Sequence, residues 1–510
     1  MKRYIIFGFI LLIFSGLSGV SELSQLECGR VKADIYYYLD MFSGWNSGIN
    51  KAGQFRENPA LLAVSKNNTI ETGISPGMKI SGGTLYPNYQ STFNDEIESL
   101  VSGVKSDSLE IKYPELKLNM AQAGGVQELN SKFESGYGGC WGISMWQPLV
   151  LGGDITGNSF LMTLKTDAGM KEDEETKVVL GNDFRSGIDI EMSQIRTGYV
   201  HRFKNGINIG LGFDVLNLQI EGDGYTRTEG YIRQYGGDTD INQAFNDSQD
   251  SQYFRNTLDN VWESDFKETF FGFNGGITYQ IGENSIIDLG ISQPYHQKVS
   301  GSSELLVHGL GAVNYEALIG ESEEELFDEI LLEPSKMTYT YMTVYSCRSL
   351  IFNYPGILRL GLGIDKGRTQ HQISMSTFPG ELSLRYQGKV YETGREKIGN
   401  HFEDYENTTD VDYTYGIKLK SKLEYNLAHL LSNKFGIFLS MQYYSLEEVM
   451  HNIKNDDGEE IEPEKLMILF TGNFGMSWQI NQRLTADCLI FGFPGPFLKL
   501  NLVYNLGKQK

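Results

Sequence analysis

The chain has 510 residues and a formal net charge of −22, with 29 Tyr, 28 Phe, 5 Trp and 58 Gly. Acidity on that scale excludes a nucleic-acid binder, which needs a basic footprint. The mean hydropathy of −0.29 resembles that of a soluble protein, but transmembrane barrels score the same way because half of each strand faces a polar lumen.

The amino terminus, residues 1–20, reads as a secretory signal peptide. Lys2 and Arg3 precede an apolar run from Tyr4 to Phe14, followed by the small residues Ser15, Gly16, Ser18 and Gly19. The run is shorter than the ~20 residues of a membrane helix, and no later segment qualifies as one. Cys28 is a poor lipidation site, because Gln25-Leu26-Glu27 precede it where a small residue should stand. Residues 21–68 hold short polar and Gly-rich pieces and no clean long strand. Their place between the signal and the first strand makes them a candidate hatch, or plug, for a barrel.

From Ile70 to Leu506 the pattern has period two, which only a strand produces. Ile207, Ile209, Leu211, Phe213 and Val215 alternate with Asn208, Gly210, Gly212 and Asp214. The apolar parity then shifts to Leu216, Leu218 and Ile220, which implies a bulge or a membrane edge. Met337 to Tyr345, Leu360 to Ile364, Ile437 to Tyr443 and Leu498 to Leu506 alternate likewise. The longest case is 411–427, VDYTYGIKLKSKLEYNL. Its odd positions from Tyr413 to Leu427 are mostly apolar, and its even positions include Lys418, Lys420, Lys422 and Glu424. Read as one face, this gives a lysine-rich inner surface. Roughly 14–16 such segments are present, within the range of membrane barrels.

Residues 69–510 are therefore expected to form an all-β fold, a transmembrane antiparallel β-barrel of about 14 strands with long acidic outer loops. Residues 221–265, 388–410 and 450–464 are polar and read as outer loops, while Asn205-Gly206 and Glu283-Asn284 read as tight turns. Inward glycines imply a crowded lumen. The acidic runs Glu172–Glu175, Glu321–Glu325 and Asp456–Glu460 read as solvated loops. A sharper reading is divalent-cation binding, alone or bridging the phosphates of outer-membrane lipid.

Catalytic motifs are missing. The seven histidines form no HExxH or Cys/His pair, no GxSxG elbow occurs, and no glycine loop cradles a phosphate. No enzyme activity, catalytic metal or cofactor is expected. The four cysteines, Cys28, Cys140, Cys347 and Cys488, allow three pairings among which the sequence does not choose.

Glu57-Asn58-Pro59-Ala60, followed by Leu61-Leu62-Ala63, resembles the Asn-Pro-Ala hatch motif of FadL-like outer-membrane transporters. WGISMWQPLV at 141–150, the segment 271–301 and YPGILRLGLGI at 354–364 are similar to further strands of that family, in the family's order. The resemblance covers roughly 45–365 and leaves out the carboxyl third. It implies a bacterial outer-membrane channel that takes up hydrophobic compounds such as long-chain fatty acids by passive diffusion. The ligand would bind near a hatch built on Asn58, Pro59 and Ala60, then leave by hatch movement or sideways through the wall. The competing expectation is a non-transporting barrel that serves as a structural, secretion or adhesion partner, on the strength of the divergent carboxyl third and the acidic loops.

Overall fold

The computed structural model describes residues 30–39, 55–64, 67–77, 79–85, 108–112, 115–135, 138–166, 175–235, 254–313, 337–398, 401–452, 463, 467–491 and 497–507. The signal segment and the acidic runs at 172–174, 321–325 and 456–460 lie outside these residues. Among the described residues no group of three or more His, Cys, Asp or Glu could hold a metal ion.

The first strands are β1 (Arg30–Leu39), β2 (Asn68–Ser75), β3 (Lys79–Leu85), β4 (Ser108–Lys112), β5 (Glu115–Gln122), β6 (Gly125–Ser135) and β7 (Gly139–Thr166). The middle third holds β8 (Glu175–Arg202), β9 (Ile207–Tyr235), β10 (Phe254–Ile281), β11 (Ser285–Ser292), β12 (Tyr295–Val313), β13 (Met337–Tyr354) and β14 (Ile357–Asp365). The last are β15 (Thr369–Thr377), β16 (Leu382–Ile398), β17 (His401–Leu430), β18 (Phe435–His451), β19 (Met467–Gln479), β20 (Leu484–Phe491) and β21 (Phe497–Gly507).

These strands form a closed antiparallel barrel of 14 wall positions. Closure runs from β21 to β2, with Thr69 opposite Asn505 and Ile74 opposite Leu500. The wall then passes through β6, β7, β8, β9 and β10. Three positions are each built from two collinear strands: β11 with β12, β14 with β13, and β15 with β16. β17 to β20 complete the circle. At the lower rim the connections are tight turns. Gly206 (φ +83°) and Gly282 (φ +63°) supply the left-handed backbone at the two turns read from sequence.

The outer face near the turns is apolar, as lipid requires: Leu211, Phe273 and Phe470 are 71, 67 and 73% exposed. Higher up, the polarity of the two faces exchanges. β9 keeps unbroken register with both neighbours through Val215 and Leu216, so the parity shift there is no bulge. Inward residues run Gly210, Gly212, Asp214 and then Leu216, Leu218, Ile220, of which the last three are buried. The strand has left the membrane, and its outward residues become Asn217, Gln219 and Glu221.

Three sequence expectations are corrected. The stretch from 21 to 68 does contain a long strand: β1 runs parallel to β5 and antiparallel to the upper half of β7. The polar segments at 221–235, 254–265, 388–398 and 401–410 are strand, not loop. They read as loops because above the membrane neither face needs a continuous apolar stripe. In β17 the ladder shifts between Leu419 and Ser421, leaving Lys420 as an extra residue that inverts the alternation. Leu419 therefore points inward, as do Lys422 and Glu424, while Leu423 faces lipid at 51% exposure. Lys420 lies on the outside, paired with Glu447 at 3.0 Å. The supposed lysine-rich inner face keeps Lys422 alone.

Breaks line up in the three composite positions. Gln293-Pro294, Pro355-Gly356 and Phe378–Glu381 interrupt neighbouring strands at one level, where each proline removes a ladder donor. Gly356 N donates to Pro379 O (2.9 Å), and Ile357 N donates to Ser292 Oγ (3.0 Å). β7 carries Pro148 within a register shift between Trp146 and Leu149.

The inverted register of β17 has a direct test. Leu423→Lys is expected to destabilise the barrel by ~2–4 kcal/mol in reversible urea unfolding from lipid vesicles. Lys418→Leu, an outward change above the membrane, should fall within about 0.5 kcal/mol of the parent. Equal effects would contradict the bulge.

Candidate functional site

Residues 55–63 lie inside the barrel. Pro59–Ala63 form a short 3-10 helix, and Phe55, Asn58, Pro59, Ala60, Leu61 and Leu62 are buried. The local sequence dictates this shape. A residue before proline is held extended, and Asn58 sits at φ −150°, ψ 111°. Its side chain then accepts a hydrogen bond from Ala60 N at 2.9 Å, capping the turn that Pro59 opens without needing a donor.

Wall glycines clear the space. A Cβ on Gly210 would come within 2.6 Å of Ala60 N, and one on Gly290 within 2.7 Å of Glu57 O. On Gly276 it would sit 1.8 Å from Asn58 Oδ1, while Gly142 and Gly198 face Leu62 and Phe55. Five adjacent wall positions thus form a shelf that only glycine permits.

Around that shelf runs a ring of buried charge. Asn58 Nδ2 donates to Asp288 Oδ1 at 3.3 Å, and Asp288 accepts from Arg359 Nε at 3.1 Å. Arg359 also pairs with Glu57, which faces Lys422 Nζ at 3.6 Å, and Lys422 pairs with Glu424 at 2.8 Å. On the other side Arg56 pairs with Glu128, which also accepts from Lys499 Nζ at 2.7 Å. Arg196 grips Asp214 and donates to the Arg56 carbonyl. Both arginines stack on Trp146, with Cζ 4.9 and 5.7 Å from the ring centroid. Five cations (Arg56, Arg196, Arg359, Lys422, Lys499) meet five carboxylates (Glu57, Glu128, Asp214, Asp288, Glu424), so the ring is neutral and mutually paired, as buried ions must be.

Above the ring the lumen turns apolar. Leu216, Leu218, Phe266, Phe270, Tyr295 and Phe352 form a buried cluster contributed by β9, β10, β12 and β13. Phe270 lies 6.1 Å from Tyr295 and 5.5 Å from Phe352, ring centroid to centroid.

The structure therefore brings Asn58, Pro59 and Ala60 together at the centre of the barrel. Sequence reasoning missed the wall partners Asp288, Arg359, Glu128, Lys499, Arg196 and Asp214. A usable signal existed for several of them. A single charge between two apolar residues, as in Ile287-Asp288-Leu289, Leu358-Arg359-Leu360 and Leu498-Lys499-Leu500, marks an inward ion on a lipid-facing strand. Cys140, Cys347 and Cys488 are free thiols, and Cys28 lies outside the described residues.

No protein-family model matches the chain, and no curated protein matches it. Among solved structures, a Pseudomonas aeruginosa FadL homologue aligns over 96% of this chain and 100% of its own, at 11% identity and a TM-score of 0.44. The Pseudomonas putida toluene transporter TodX aligns over 92% and 99%, at 9% identity and 0.40. The CymD monoaromatic hydrocarbon channel aligns over 92% and 97%, at 8% identity and 0.39. At these identities and scores the likenesses carry no functional weight, which rests on the barrel and its lumen.

Breaking the ring from one side should be costly. Arg359→Met strands Asp288 without its cation, leaves Glu57 with Lys422 alone, and is expected to destabilise the protein by ~3–5 kcal/mol. Asn58→Ala removes a cap and should cost ~1–2 kcal/mol. Urea unfolding gives both values. Protease cleavage between 55 and 64 should rise in the same order if the ring is what holds the segment.

Proposed function

We propose that the chain is a bacterial outer-membrane channel for the uptake of hydrophobic compounds such as long-chain fatty acids, by passive diffusion. The observation that carries the reading is the exchange of lumen chemistry along the barrel. A polar seat holds residues 55–63, and directly above it a wall facing the interior is lined by aliphatic and aromatic side chains. A porin needs a polar path throughout. An apolar path shielded from water suits a lipophile crossing a polar surface layer. The signal-like amino terminus and the apolar outer band support an outer-membrane address.

Residues 21–68 serve as the hatch in this reading, with Asn58, Pro59 and Ala60 as its hinge against the wall. The ring is neutral as a whole, so the hatch can shift by exchanging ion-pair partners without leaving a net charge buried. The resemblance around Asn58-Pro59-Ala60 favours the same function.

Binding of a labelled long-chain fatty acid, in a detergent without fatty-acid character, tests this directly. Saturable binding is expected, weakened roughly tenfold or more by Leu218→Asp in the apolar cluster. No binding, in protein that still shows a barrel's heat-modifiable migration, would sink the fatty-acid reading.

A further inference from the structure

The lower rim carries a charge opposite to that of the chain. The whole molecule bears −22. At the membrane's upper edge the outward row is Asp189, Glu221 and Asp265, in register on β8, β9 and β10. The turns of the lower rim instead present Lys204, Lys366, Arg368, Lys434 and Arg483, all exposed. Against them, among the described turn residues, stands Glu283 alone. Asp365, which ends β14, already accepts from Gly367 N (2.8 Å) and Gln370 Nε2 (3.1 Å). None of the five cations takes part in an ion pair among the described residues.

These cations are held at a fixed height. The Arg368 carbonyl accepts from Leu430 N (2.8 Å), the Lys434 carbonyl from Gln479 N (2.8 Å) and the Arg483 carbonyl from Asn505 N (2.7 Å). Each of these turns is thus tied to the neighbouring strand. Gln479 and Asn505 directly follow Trp478 and Tyr504, whose rings face lipid at 59 and 41% exposure. Trp141 and Tyr199, 4.9 Å apart between ring centroids, mark the same level on β7 and β8. Trp and Tyr settle at the headgroup layer of a bilayer, so the turns tied beside them stand among the headgroups. A Lys or Arg at that level attracts anionic lipid.

We infer that the lower rim is a docking surface for anionic phospholipid of the leaflet in which it stands, each headgroup phosphodiester being taken by one or two turn cations. A lipid with no ammonium of its own fits best, because it brings an uncompensated negative charge and oxygen acceptors to Lys and Arg donors. The acidic upper row repels the same headgroups, so the preference belongs to one leaflet. The inference needs only that the chain spans a membrane and does not depend on its cargo.

The test uses the whole barrel in vesicles. Phosphatidylcholine and phosphatidylglycerol, each brominated in the acyl chains, quench tryptophan on contact. The lower-rim signal is the part of the emission lost in a Trp141→Phe, Trp478→Phe variant. Brominated phosphatidylglycerol is expected to outcompete phosphatidylcholine there by about fivefold at low salt, the effect of one cation near the surface. The preference should vanish in 1 M salt, where the Debye length is about 3 Å. It should also vanish when Lys204→Gln, Lys366→Gln, Arg368→Gln, Lys434→Gln and Arg483→Gln are combined, and persist in Lys267→Gln at the upper edge. Heat-modifiable migration shows that each variant keeps its barrel. If the combined variant does not fold, Lys434→Glu with Arg483→Glu replaces it and should turn the Trp478 signal in favour of phosphatidylcholine. Equal quenching by the two lipids in the parent overturns the inference. So does a preference that survives loss of the cations, since its source would then lie elsewhere.

Discussion

Lipid offers the backbone no hydrogen-bond partner, and every feature of this molecule follows from that constraint. A sheet with free edges cannot stand in a bilayer, so β21 returns to β2 and the wall closes. Closure then creates an interior that must be filled. In the lower half residues 55–63 and paired charged side chains of the wall occupy it, and in the upper half the wall's own apolar side chains do. The breaks at Pro148, Pro294, Pro355 and Pro379 lie at or above the membrane's upper edge, where substitute donors and water are within reach.

Filling the lower half raises an electrostatic problem. Residues 55–63, packed against the polar lumen wall, desolvate the charge that lies there, and an unpaired buried ion is far more expensive than a paired one. Arg56 and Glu57 enter the lumen together and each meets the opposite charge on the wall, at Glu128 and Arg359 respectively. Glycine at 210, 276 and 290 brings the segment's backbone against the strands, so the ion pairs form at short range. Shape and charge specify the same placement.

Much of the barrel was legible because lipid imposes a strict alternation, as at Ile207–Val215 and Leu498–Leu506. The polar upper strands were not legible, because residues such as those at 401–410 meet water on at least one face and no rule of alternation binds them. The bulge at Lys420 was hidden for a subtler reason. Above it the inner face is apolar and below it the outer face is apolar, so inserting one residue where the faces exchange leaves an apparently unbroken stripe from Tyr413 to Leu427. In β9 the same exchange occurs without a bulge, and the stripe visibly changes parity. Of the central site, Asn58-Pro59-Ala60 announced itself by its turn chemistry. Its ionic partners did not, since each lies on a distant strand and only the closed barrel brings them together.

The order in which the ring is assembled has a temporal side. Glu57 and Glu128 are made early, yet their cations Arg359, Lys422 and Lys499 belong to strands synthesised much later, Lys499 on the very last one. The separations in sequence, 371 residues between Glu128 and Lys499, for example, make these among the slowest contacts for a chain to find. An incomplete chain therefore carries the charges of the seat without their counterparts and has no way to bury them. The ring that seats residues 55–63 in the finished protein is thus complete only once the carboxyl-terminal strand is in place.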